Sequence, residues 1–206
     1  MPLTVQSCSV AAETIGQITS KAVQRVRAER VGIIDMKVSD VKIVGPIPVY
    51  SGRWSTYLSE GLGSLEKVGW RYALLSDAED PIATVYIRDG GEVIHGDLLP
   101  GYSIRGRESA TAFVSALSVA GSFIGMGDDR FECRFLSFAS LYLTGVWMHG
   151  AEDLFVLTRD GGLQRPIPTI LTAAQVSDLV RVQLGNRRKA GGPDRPGPST
   201  NGRRAL

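Results

Sequence analysis

The sequence predicts an α+β protein built on a largely antiparallel sheet. Three observations support this. β-branched and aromatic residues cluster in short runs that follow one another with few helices between them. Glycine-containing turn signals punctuate those runs. Three separate segments carry apolar residues at helical spacing instead. Together they give an N-terminal helix, a central helix at about 108–125 and a C-terminal helix at about 173–185, set against groups of strands.

Residues 11–30 read as an amphipathic first helix. Ile15, Ile18, Ala22 and Val26 recur at spacings of three and four. Glu13 lies in its first turn and Arg25, Arg27 and Arg30 in its last, which complements the helix dipole. Gly32 supplies a stop. Between 31 and 50 the dense β-branched residues predict two short strands, with Pro46 and Pro48 closing the second or placing it at a sheet edge. The Gly- and Ser-rich stretch 51–69 reads as a loop with one helical turn, carrying Trp54 and Tyr57.

Trp70–Ser76 reads as a strand and Asp77–Pro81 as a turn. Ile82–Arg88 and Glu92–Leu98 flank Asp89-Gly90-Gly91, a hairpin signature because the turn requires positive φ. In the central helix, Phe113, Leu117, Ala120 and Ile124 make one stripe and Ser115, Ser118 and Ser122 another. The apolar run 131–148 exceeds the usual strand length and predicts two strands or one bent strand. Asp153–Thr158 gives a further strand, followed by an Asp160-Gly161-Gly162 turn. The last helix opens on Thr172-Ala173-Ala174-Gln175, a capping box, and buries Val176, Leu179, Val180 and Leu184. Gly185 is its expected stop.

One domain, 1–186, followed by a disordered basic tail, 187–206, accounts for the composition. The tail holds six cations, among them Arg187, Arg188 and Lys189, against Asp194, and is rich in Gly and Pro. Such a segment has too little apolar surface to offset its ordering entropy. The body is then mildly acidic, which argues against a domain-wide nucleic-acid footprint. The tail has no aromatic residue to stack on bases, so sequence-specific nucleic-acid recognition is not expected. Met1 to Val10 show no secretory signal, and Cys8 and Cys133 are expected as free thiols, so a cytoplasmic location follows. Arginine outnumbers lysine eighteen to five, which fits a GC-rich bacterial genome. No internal repeat is visible.

Candidate chemistry is sparse. His95 and Asp97 share one face of a predicted strand and could orient a general base. His149, the only other histidine, stands near Glu152 and Asp153. The spacing matches no metal-ligand motif, two histidines cannot build a three-histidine zinc site, and no metal or cofactor is expected. The glycines at 121, 125 and 127 end a helix rather than precede one, so they are not a phosphate loop. Gly101 to Gly106 lacks the spacing of a nucleophile elbow around Ser103. Arg105 and Arg107, just before the central helix, could grip a carboxylate or phosphate.

The expectation that follows is a non-catalytic interaction or accessory protein with a protein partner or a second copy of itself, using Trp54 and Tyr57 as contact residues and Arg187, Arg188 and Lys189 as a basic patch. A small hydrolase-like enzyme with a His/carboxylate site is the alternative. A third possibility is membrane association through the uncharged stretch 109–127, which its serine face argues against.

Overall fold

A computed structural model describes residues 16–17, 19–21, 23–24, 37–89, 102–124 and 131–189. Its framework is one eight-stranded sheet. The strands are β1 (Val41–Ser51), β2 (Glu66–Ser76), β3 (Pro81–Arg88), β4 (Tyr102–Arg105), β5 (Glu132–Phe138), β6 (Leu143–His149), β7 (Leu154–Asp160) and β8 (Ile170–Thr172). Three helices accompany them: α1 (Trp54–Glu60), α2 (Arg107–Ile124) and α3 (Ala173–Lys189). The described residues between 16 and 24 are also helical.

The strand order is β4-β3-β2-β1-β5-β6-β7-β8. Two four-stranded antiparallel meanders therefore lie side by side, each followed in the chain by a long helix. They join at a short parallel contact in which Val49 pairs with Phe135 and Tyr50 with Leu136. The duplication is one of topology, with no repeated sequence behind it.

The predicted α+β class with a largely antiparallel sheet is the observed one, and the elements differ from expectation in a few places. Val41–Ser51 is one strand rather than two, and it is central. Its prolines are tolerated because Pro46 falls in a register irregularity between Val44 and Ile47, while pairing to β5 begins only at Val49. The hairpin arm expected at 92–98 lies outside the described residues; β3 instead pairs with β4. The run 131–148 does split into two strands. A 3-10 turn at Ala139–Leu141 and Tyr142, held at a φ of 52°, reverse the chain between them. α3 passes through Gly185 to Lys189, because no left-handed residue ends it there, so Arg187–Lys189 continue the helix. Residues 190–206 lie outside the described residues.

Alternation along the strands sorts side chains to the two faces of the sheet. In β5, Cys133 and Phe135 point toward α2, whereas Leu136 and Phe138 point toward α3. α2 buries Ala110, Phe113, Ala116 and Ala120 and turns Ser118 and Ser122 outward. Phe113 meets Phe135 edge to face at 5.4 Å. The helix lies against β2 and β3 of one meander and β6 and β7 of the other, so the sheet curves around it. On the opposite face, α3 packs Val176, Leu179 and Val180 over Trp147, Phe155 and Leu157. The capping box is present: Gln175 Oε1 accepts from the Thr172 amide at 2.9 Å. Among the described residues no helix is long and apolar enough to cross a membrane.

Candidate anion-binding site

Arg71 lies in the middle of β2, between Trp70 and Tyr72. Pleating turns it to the α2 face with Ala73 and Leu75, which belong to the apolar core there. Its guanidinium carbon stands 4.3 Å from the centroid of Phe135 and 5.1 Å from that of Phe113. One terminal nitrogen donates to Thr84 Oγ1 at 3.1 Å and to Ser109 Oγ at 3.0 Å. The Nε is buried and has no acceptor. Among the described residues, no carboxylate forms an ion pair with Arg71.

Arg71 opens onto a pocket of about 130 Å³. Arg105, from the edge strand β4, and Arg159, from β7, line it as well. These two cations reach the same hollow from opposite meanders because the sheet curves around α2. The first turns of α2 supply Glu108, Ser109 and Ala112. Ser137, Thr144 and Thr158 complete a hydroxyl-bearing wall, in which the two threonines bond each other at 2.8 Å. Burial pushes the Arg71 guanidinium down to about 9, and repulsion from Arg105 and then Arg159 adds to that. It still carries its proton at neutral pH. Asp160, next to Arg159, is committed elsewhere: its carboxylate accepts the amides of Gly162 and Arg165.

A buried cation with an unfilled donor, beside two further cations, with Glu108 the one carboxylate among the described lining residues and no ion pair to it, is costly in isolation. A bound anion removes that cost, and the amino end of α2 favours the same charge. Among the described residues its lining has no His or Cys and a single carboxylate, Glu108, while donors and positive charge predominate.

The residues singled out from sequence are distributed as follows. Arg105 lines the pocket, whereas Arg107 stands outside it, 4.0 Å from Asp80 in an exposed pair. His95 and Asp97 lie outside the described residues. His149 Nδ1 and Asp153 Oδ1 are 2.8 Å apart on the α3 face, away from the pocket. The same carboxylate oxygen accepts the Trp147 indole N–H at 2.8 Å, so much of its role is to satisfy a buried donor. Glu152 is exposed beside them.

The expected contact residues need correction. Tyr57 is buried in the core, with its hydroxyl 3.0 Å from Ser177 Oγ, and Trp54 packs partly buried against the same core. The cause is α1, which turns its apolar side to α3. The side chains of Arg187, Arg188 and Lys189 lie outside the described residues. Cys133 is a buried free thiol, pushed up to about 12 by burial and then by Glu132.

No protein family, curated protein or solved structure matches this chain. The pocket therefore rests on its own geometry. Sequence reasoning missed Arg71 and Arg159. The one available signal was Arg71 itself, a single charge inside the otherwise apolar strand Trp70–Leu75.

Proposed function

We propose that this chain is a non-catalytic interaction or accessory protein that holds an anionic group of its partner in the Arg71 pocket. One observation carries the reading: a guanidinium wedged between two phenyl rings, in no ion pair with a carboxylate among the described residues, and facing a hollow shared with Arg105 and Arg159. Groups that react have bases or nucleophiles beside them, and this hollow has donors and charge. A cytoplasmic, bacterial setting and a protein partner or second copy belong to the same reading.

The alternative, a hydrolase-like enzyme, draws on the His149–Asp153 contact. Titration calorimetry separates the two. Inorganic phosphate should bind the wild-type chain and the His149→Gln variant alike and lose at least tenfold in affinity with Arg71→Met. Equal affinity in wild type and Arg71→Met refutes the proposal.

A further inference from the structure

The hollow at Arg71, about 130 Å³, is smaller than the roughly 300–1,000 Å³ that enclose a whole ligand. It accommodates a head group. Three arginines and Glu108 give the wall a formal charge of +2. A carboxylate would leave half of that uncompensated. A phosphomonoester brings about −1.5 to −2 at neutral pH and three strong acceptor oxygens.

The donors suit those oxygens. Ser109 accepts from Arg71, and its own hydroxyl hydrogen can turn to Thr84 or to a ligand. The Thr144–Thr158 pair uses one hydroxyl hydrogen internally and has the other to give.

A second hollow of about 470 Å³ adjoins the first. Glu108 and Ala112, one helical turn apart on α2, line both. Ala112 makes the dividing wall low. Beyond it, Ile167 and Pro168 face Ser115, and the lining is mainly apolar.

We infer that the anionic group is a phosphomonoester, its phosphate held by Arg71, Arg105 and Arg159 and its apolar ester group lying across Ala112 against Ile167 and Pro168. This rests on the anion-binding reading above.

The test is calorimetric titration of the full chain with phenyl phosphate, inorganic phosphate and benzoate. Phenyl phosphate should bind at least tenfold more tightly than either of the others. Ile167→Ser, at an exposed loop position, should remove most of that advantage while leaving inorganic phosphate unchanged. Equal affinity for phenyl phosphate and inorganic phosphate overturns the groove assignment and leaves the anion site standing. Benzoate binding as tightly as phenyl phosphate overturns the dianion. Failure of all three probes on the wild-type chain overturns both this inference and the reading beneath it.

Discussion

Replacing Arg71 by Met should stabilise the ligand-free protein and abolish its stabilisation by phosphate. Met lacks the guanidinium, and its flexible thioether fills only part of the space between Phe113 and Phe135. Exchanging buried ionic groups for apolar residues ranges from neutral to a gain of about 1–4 kcal/mol for ion pairs and triads. Against that stand a cation–aromatic contact of about 0.5–2 kcal/mol and two hydrogen bonds. The bonded hydroxyls, on Thr84 and Ser109, are already 3.5 Å apart and can pair with each other. Relief of the repulsion from Arg105 and Arg159 adds to the gain. A net gain of about 1–2 kcal/mol raises the melting temperature by roughly 2–8 °C in a chain of this size.

Phosphate should act the other way round. At a hundred times its Kd it stabilises the wild-type chain by about 2.7 kcal/mol, or roughly 5–11 °C, and the variant not at all. The assay is scanning calorimetry at pH 7 in phosphate against chloride of matched ionic strength. A variant that melts well below wild type, or equal gains from phosphate in both, refutes the reasoning. Equal gains would mark general ion exclusion rather than a site. The pH dependence has a fixed sign. Arg71 falls from 12.5 unfolded to about 9 folded, so from about pH 9 upward the unfolded chain keeps a proton that the native chain releases. Its destabilising contribution shrinks across that window, and the gap between variant and wild type should narrow.

Asp153→Ala should cost about 1–3 kcal/mol in urea denaturation, because the Trp147 indole loses its acceptor, while phosphate affinity is unchanged. Gly69→Ala should cost about 3 kcal/mol or more, with loss of soluble expression as the cheap readout, because its Cβ would collide with the Ile87 carbonyl oxygen. Cys133 should resist maleimide in the folded protein at pH 8 and react after urea unfolding; ready labelling of the native state would contradict its burial.

Local rules were readable where the cause is local. α2 and α3 follow from apolar spacing, and the start of α3 from the reciprocal bonds of Thr172 and Gln175. The Asp160-Gly161-Gly162 turn follows from its need for positive φ, at 74° and 89° for the two glycines. The central place of β1 was misjudged because proline is normally confined to an edge or a bulge, and only the register shows that Pro46 occupies a bulge. Tyr57 looked like a contact residue because nothing nearby in the chain says that α3 will cover it.

By itself the sequence determined that the chain folds as helices against an antiparallel sheet, since helix and strand periods are written into neighbouring residues. Only the tertiary structure decided that β1 and β5 meet, that the sheet curves around α2, and that Arg71, Arg105, Arg159 and Ser109 share one hollow. The physical reason is range. Periodicity and capping act over a few residues, whereas strand order and curvature bring together side chains from separate meanders, and a cluster of three arginines in one hollow exists only once they have met.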